Sequence, residues 1–124
     1  MRPPATPLLA ARRASRLDDL LNPEMFGALA DGTRLRLLAC LAKCARSCSV
    51  SEIGECCDVD LSVVSRHLAI LEEAGMVSQE KQGRNRMYHV RFEHVCGVLR
   101  SLADAMEACR VERSGSCCEK GCCA

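Results

Sequence analysis

Apolar residues recur at helical spacing through much of the chain, most clearly between residues 61 and 74. Val64, Leu68 and Leu71 follow one another at intervals of four and three residues, which places them on one face of an α-helix. Gly75 comes next, and glycine readily adopts the left-handed backbone conformation that ends many helices. The pattern predicts an amphipathic helix over residues 61–74 whose apolar face packs into a core.

Short polar residues that can cap helices precede this segment and the helical segments before it. They are Asn22, Asp31, Ser49 and Asp60. Pro23 stands at the first helical position after Asn22, and Ser49 forms a capping box with Glu52. With residues 44–48 as a loop, these caps predict four consecutive helices before Gly75.

The period of the pattern changes after Gly75. Residues 76–90 alternate around the polar segment 82–85, which predicts a β-hairpin with a basic tip. A last helix is expected from Phe92 to about Val111. It carries a heptad-like apolar seam, made of Val95, Leu99, Leu102, Met106 and Cys109. Such a seam needs a partner, supplied by the N-terminal helical region, by a second copy of the chain, or by both.

Two helices joined at Asp58-Val59 and followed by a hairpin predict a winged helix-turn-helix. The expected fold class is mainly α (α+β), with a two-stranded β-hairpin wing and N- and C-terminal dimerisation helices. We expect residues 1–16 to be a flexible basic segment and residues 17–111 to be a dimeric DNA-binding domain. Residues 112–124 form a cysteine-rich tail.

The charge and aromatic content narrow the classes of nucleic acid that the chain can bind. Its 17 Lys and Arg nearly balance its 16 Asp and Glu, for a net charge of +1. This balance argues against a general polyanion binder but allows a sequence-specific one with local basic groups. With no Trp, one Tyr and two Phe, single-strand binding by base stacking is not expected.

Eleven cysteines would indicate a disulfide scaffold in a small secreted protein. The apolar run at residues 8–11 is broken by Arg12 and is too short for a signal peptide. No run approaches the roughly 20 apolar residues of a membrane span. We therefore expect a cytoplasmic protein without membrane contact, whose cysteines are free thiols or metal thiolates. No phosphate loop or Cys-His nucleophile pattern suggests an enzyme or an organic cofactor.

Hydrogen-bonding and basic residues at two places form the predicted interface with double-stranded DNA. Those on the first turns of the helix over 61–74 are Ser62, Ser65, Arg66 and His67. Those on the hairpin are Lys81, Arg84 and Arg86. The helix suits the major groove, where arginine binds guanine or phosphate, and the hairpin suits backbone contacts. A solvated helix face beside an ordinary hairpin is the alternative.

Three blocks of sequence resemble the ArsR/SmtB metalloregulator family. They are ALADGTRLRLL at 28–38, VSRHLAILEEAG at 64–75, and the hairpin segment from Gln82-Gly-Arg84 through Tyr88. The resemblance covers about residues 22–108 and implies a homodimeric winged-helix repressor of a pseudo-palindromic operator. It implies that ligand binding lowers DNA affinity, and it places Ser62, Ser65, Arg66 and His67 on the DNA-reading helix and Gly83, Arg84 and Arg86 on the wing.

The family's sensing sites are only partly represented in this chain. The arsenic-type motif, Cys-Val-Cys-Asp-Leu-Cys, corresponds to residues 49–54, which contain no cysteine. The zinc-type site on the last helix retains only His94, with Phe92, Ala105 and Ala108 at its other positions. A third family pattern, a Cys-Cys pair beyond the last helix with another cysteine further on, resembles the tail.

The tail is therefore the first predicted ligand site, and its members are Cys117, Cys118, Cys122 and Cys123. Cys56, Cys57 and Cys96 are the second choice, whereas Cys40 and Cys109 are expected to pack in apolar faces. Trivalent arsenic or antimony, as arsenite or antimonite, is the expected inducer because soft centres select sulfur. The alternatives are another thiophilic metal such as Hg, Cd or Pb, a thiol-redox or persulfide sensor, and a thiolate metal scavenger.

Overall fold

A computed structural model of the chain describes residues 6–12 and 15–113, with side chains to residue 110. Within these ranges the chain forms seven α-helices and three β-strands. The helices are α1 (Pro7–Arg12), α2 (Arg16–Leu20), α3 (Pro23–Ala28), α4 (Gly32–Cys44), α5 (Val50–Cys57), α6 (Leu61–Glu73) and α7 (Phe92–Arg113). The strands are β1 (Cys48–Ser49), β2 (Val77–Gln82) and β3 (Asn85–Val90).

The chain divides into two compact units. Residues 22–96 contain α3 to α6, the three strands and the start of α7. The second unit combines the described residues up to Leu21 with those from Gly97 to Arg113, and so holds α1, α2 and most of α7. In this second unit the Arg16 guanidinium donates a hydrogen bond to the Ser101 hydroxyl at 3.4 Å.

The hydrophobic core of residues 22–96 is built from one face of each long helix. Val64, Leu68 and Leu71 of α6 are completely buried, which confirms the amphipathic helix expected from their spacing. α6 contacts α3, α4, α5 and β2, so it lies at the centre of the unit. Because its apolar face is held from several sides, its opposite face is presented to solvent in a fixed orientation.

Most of the predicted helix caps form their expected hydrogen bonds. Asn22 Oδ1 accepts from the backbone N–H of Glu24 at 2.8 Å, and Asp31 Oδ1 accepts from that of Arg34 at 3.0 Å. The bond from Arg34 lowers the pKa of Asp31. Asp60 occupies the N-cap position of α6, but its side chain makes no capping bond. The helix starts were thus correctly predicted, although α6 is held by its tertiary contacts instead of a side-chain cap.

The capping box of α5 gives a prediction about pH. The carboxylate of Glu52 accepts from the Ser49 backbone N–H at 3.0 Å and from Arg46 Nη2 at 2.7 Å. The bond from Arg46, followed by that from Ser49, lowers the pKa of Glu52 from 4.5 to about 2. The stabilisation is therefore complete above pH 4.5 and is lost as the pH falls toward 2. Nuclear magnetic resonance titration of the Glu52 carboxyl carbon should show the low midpoint, and Arg46→Ala should raise it. A midpoint that Arg46→Ala leaves unchanged would contradict this account.

The predicted hairpin forms and gains a third strand. β2 and β3 pair antiparallel from Val77↔Val90 to Gln82↔Asn85, and Gly83 in the turn has a φ of +64°, a value that favours glycine. β1 pairs with β3 on its other side, with Cys48 opposite Tyr88. Residues 44–48 were expected to be a loop, but Cys48 belongs to a strand because β3, far along the chain, supplies its hydrogen bonds.

The helix near the N-terminus and the ends of α4, α5 and α7 differ from, or add to, what the sequence predicts. A helix, α1, lies within the segment that was expected to be flexible. α7 ends at Arg113, two residues beyond its predicted end. Ala45 and Asp58 adopt left-handed backbone conformations, with φ of 54° and 52°, at the ends of α4 and α5. No helix in the described ranges has the length and apolarity that a membrane span requires.

Candidate functional site

The exposed face of α6 carries most of the predicted DNA-reading residues. Ser62, Ser65 and Arg66 are exposed, on the helix whose other face is anchored in the core. The three side chains supply two hydroxyl groups and one guanidinium, which are hydrogen-bonding groups that suit base edges and phosphates. The structure therefore places these three residues together on a rigid, solvent-facing surface.

His67 lies in a different environment from its three neighbours. It is half-buried, and its Nδ1 lies 3.2 Å from Nη1 of Arg34. Arg34 also donates from Nε to the Ala28 carbonyl at 2.7 Å and from Nη2 to the Gly27 carbonyl at 3.3 Å. His67 stays a predicted DNA contact, and within the protein its contact with Arg34 joins α6 to the start of α4 and the end of α3. Arg34, which sequence reasoning did not single out, is the centre of this arrangement.

A tight turn joins α5 to α6. Asp58 ends α5 in the left-handed conformation, and the Val59 N–H donates to the Gly54 carbonyl at 3.1 Å. A Cβ atom at Gly54 would lie 3.0 Å from Leu61 Cδ2 and 3.2 Å from the Val59 carbonyl oxygen. Glycine at this position allows the two helices to approach closely, because a larger residue would have to displace Leu61 or the Val59 backbone by a few tenths of an ångström.

Gly54→Ala is expected to lower the free energy of unfolding by about 1–3 kcal/mol, because the added methyl overpacks the contact between the helices. Urea denaturation followed by circular dichroism measures the change. Gly27→Ala is the matched control, since a Cβ there meets no described atom within 4 Å. The alanine at residue 27 should be neutral or slightly stabilising. Equal losses in the two variants would be inconsistent with a tight contact at Gly54.

The wing presents a group of cations with like charges directly opposite each other. Lys81 of β2 pairs with Arg86 of β3, and Arg84 lies in the turn between the strands. All three are exposed, and within residues 6–12 and 15–110 none of them forms an ion pair. Like charges at opposed positions destabilise a sheet slightly. A polyanion that lies along the wing would relieve this repulsion, which is the electrostatic property expected of a phosphate contact.

Four cysteines line a cavity between α4 and the end of α5. They are Cys40, Cys44, Cys56 and Cys57, and the cavity has a volume of about 700 Å³. Cys40 and Cys57 are half-buried, whereas Cys44 and Cys56 are exposed. We call this group of four the thiol cluster.

The environment of Cys40 indicates that its thiol lies next to the thiols of Cys57 and Cys56. Burial raises the pKa of the Cys40 thiol to about 12, and the thiols of Cys57 and then Cys56 add to the shift. Cys40 was expected to pack in an apolar face, but it is only half-buried and is adjacent to two other thiols. Its spacing from Arg36 and Cys44, four residues in each direction, is the sequence signal that places all three on one face of α4.

The other predicted ligands are distributed differently. Cys96 is exposed near the start of α7 and does not line the cavity of the thiol cluster. Cys48 is buried, and burial followed by the neighbouring Cys44 raises its pKa. The tail residues Cys117, Cys118, Cys122 and Cys123 lie outside the described residues. In the described part of the chain, no group of three or more His, Cys, Asp or Glu is already arranged to hold a metal ion.

Comparisons with known proteins agree with this arrangement. Residues 29–80 match a helix-turn-helix domain family. The chain is 33% identical over 103 residues to the arsenical resistance operon repressor of Escherichia coli. This match covers 76% of this chain and 79% of the repressor. This chain belongs to the ArsR/SmtB family. It is also 36% identical over 84 residues to a transcriptional repressor SmtB homolog of Synechocystis sp., covering 68% of this chain and 62% of that relative.

A solved structure supports the same assignment at the level of the fold. The homodimeric winged helix-turn-helix DNA-binding domain of a possible ArsR-family regulator from Mycobacterium bovis matches with a TM-score of 0.58 and 25% identity. The match covers 85% of this chain and 94% of that one. The matched relatives and the matched structure are DNA-binding transcriptional regulators and not enzymes, so the predictions of family, fold class and non-enzymatic role are confirmed.

Proposed function

We propose that this ArsR/SmtB-family protein is a homodimeric repressor that binds operator DNA and releases it when trivalent arsenic or antimony binds to cysteine thiols. The observation that carries the proposal is the placement of two surfaces on one helix-turn-helix. The reading face of α6 and the wing cations form one surface, and the thiol cluster lies against the helix that precedes α6. An inducer bound by thiols can therefore act on the element that reads DNA.

The exposed apolar side chains of the second unit support the homodimer. Leu8 and Leu9 of α1 are 61% and 58% exposed, and Leu99 and Met106 of α7 are 43% and 54% exposed. All five residues of the predicted seam on α7 are exposed or half-buried in a single chain. Apolar side chains concentrated on terminal helices are suited to bury one another in a dimer. A dimer places two reading helices about 34 Å apart, one turn of DNA.

The names of the relatives support a metal or metalloid inducer. One relative is an arsenical resistance operon repressor and another is an SmtB homolog, and the thiol-only composition of the cluster favours the softer ligand. The four tail cysteines remain predicted ligands of the same inducer, and Cys96 remains a second-choice ligand. The proposed place of action is the cytoplasm, where thiols remain reduced.

The direct test is operator binding with and without the inducer. A duplex selected from a random library by the reduced apoprotein is titrated by fluorescence anisotropy, with a phosphine reductant that does not chelate arsenic. Arsenite should raise the Kd by about 5–150-fold, the usual range of allosteric coupling. Arsenate, zinc and a polysulfide donor are parallel additions. Release by one of these but not by arsenite or antimonite would reject the proposed inducer, and binding that no addition changes would favour a scavenger.

A further inference from the structure

We propose that the thiol cluster is the inducer site, in which Cys40, Cys57 and Cys56 bind one atom of trivalent arsenic or antimony. This assignment rests on the function proposed above and gives it a location. The cavity lies just beyond residues 49–54, which lack the thiols of the family's arsenic motif, and it draws on α4 as well as α5. The cluster offers the three sulfur ligands that the pyramidal coordination of a trivalent centre with a lone pair requires.

The charge around the cavity selects the form of the ligand. Arg36 and Lys43 line it together with one carboxylate, Asp58, so cations outnumber anions. A divalent metal ion is repelled by such a rim, whereas arsenous acid is uncharged at neutral pH and enters without electrostatic cost. The cavity also offers sulfur without any histidine. Both properties favour a neutral metalloid hydroxide over zinc, cobalt or nickel.

Binding is a condensation that balances without an oxidant. Arsenous acid, As(OH)₃, reacts with three thiols to give As(SR)₃ and three molecules of water. Three As–O bonds break and three As–S bonds form, and each thiol proton leaves with a hydroxide as water. Arsenic stays trivalent throughout, so the step needs only the ligand and the three cysteines.

The thiols of the cluster do not yet converge on one point, and the change needed to bring them together explains how inducer binding affects the orientation of α6. Cys56 and Cys57 are successive residues and point about 100° apart around an ideal helix. Both can bind the atom held by Cys40 only if the last turn of α5 changes shape. The same turn is held by Arg36, whose Nη2 donates to the Cys57 carbonyl at 2.8 Å, and it leads through Asp58 into α6. Drawing the sulfurs together therefore strains the connection that orients α6.

The first experiment maps the site on the wild-type full-length chain. The reduced protein is alkylated with iodoacetamide with and without arsenite, for long enough that the half-buried Cys40, whose pKa is raised, is labelled in the sample without arsenite. Each cysteine is then quantified by peptide mass spectrometry. Arsenite should protect Cys40, Cys56 and Cys57 and leave Cys96 and Cys109 unprotected. Protection confined to the tail cysteines would overturn the assignment of the site. This measurement requires no variant, so a folding defect cannot obscure it.

The second experiment compares the ratio of operator Kd with and without arsenite, so that a change in basal affinity cancels. The ratio should fall to about 1 in Cys40→Ser and in Cys57→Ser, from the wild-type value of at least about 5. Cys109→Ser, at an exposed cysteine of α7, is the matched control and should keep the wild-type ratio. Cys96→Ser and the quadruple serine variant of the tail remove the competing predicted ligands, and they keep that ratio if the thiol cluster is the inducer site. A ratio lost only in the tail variant rejects the cluster but retains the proposed function. Protection of the cluster without any change in DNA affinity rejects the proposed function but retains the site.

Discussion

Leu68→Ala is expected to lower the free energy of unfolding by about 2–5 kcal/mol, the range observed when a buried leucine leaves a cavity. Leu68 is completely buried in the helix that contacts α3, α4, α5 and β2, so little of the surrounding structure can collapse into the space. Urea denaturation at a fixed protein concentration measures the loss, because the stability of a dimer depends on concentration. Operator binding should weaken in parallel, since the reading face is carried by the same helix.

Ile70→Ala is the matched control on the same helix. Its side chain is 39% exposed, so truncation removes fewer contacts and leaves no enclosed cavity. The loss should be clearly smaller than that of Leu68→Ala. If the two variants lost equal stability, the core would not be organised around the buried face of α6.

Features that depend on nearby residues were predictable from the sequence. The capping bonds of Asn22 and Asp31 and the capping box of Ser49 involve partners within three residues, so residue type and spacing determine them. Gly75 has a φ of +80°, as expected for a glycine that ends a helix. The buried face of α6 follows from helical period alone.

Features that depend on distant partners were not predictable in this way. β1 is a strand only because β3 pairs with it, and its sequence, two residues long, carries no strand pattern of its own. Asp58 and Ala45 end their helices in left-handed backbone conformations, although neither is the glycine that such a position favours. His67 was grouped with exposed neighbours, since nothing in its own helix reveals the guanidinium of Arg34 beside it.

The candidate ligand site shows the same limit. Adjacency in sequence indicated Cys56 and Cys57 as a pair and the tail as a cluster, because both are visible as short motifs. The contribution of Cys40 depends on how α4 crosses the end of α5, which no local pattern encodes. Helical spacing did contain a partial signal, because Arg36, Cys40 and Cys44 recur every four residues. That spacing identifies a polar face of α4, but it does not identify the residues of other elements that this face contacts.

Arg66→Ala is expected to weaken binding to the selected operator by about 5–150-fold, which corresponds to the loss of about 1–3 kcal/mol for an arginine that reads a base. Arg66 is exposed on α6 next to Ser62 and Ser65, and its planar fork can donate two hydrogen bonds to guanine. The proposal that α6 enters the major groove therefore predicts that binding to unrelated DNA changes less than binding to the operator. Fluorescence anisotropy with both duplexes at one salt concentration measures this difference in specificity.

Lys81→Ala provides the contrast, because the wing is proposed to contact phosphates. It should weaken operator and unrelated DNA by similar factors and reduce the slope of log K against log salt concentration by about 1. Arg100→Ala, which removes an exposed arginine of α7 outside the helix-turn-helix and the wing, should leave both affinities close to wild type. If Arg66→Ala behaved like Lys81→Ala, with equal losses on both duplexes and a smaller salt slope, Arg66 would bind the DNA backbone. Contacts with the bases would then be assigned to Ser62 and Ser65, which are also exposed polar residues at the start of α6.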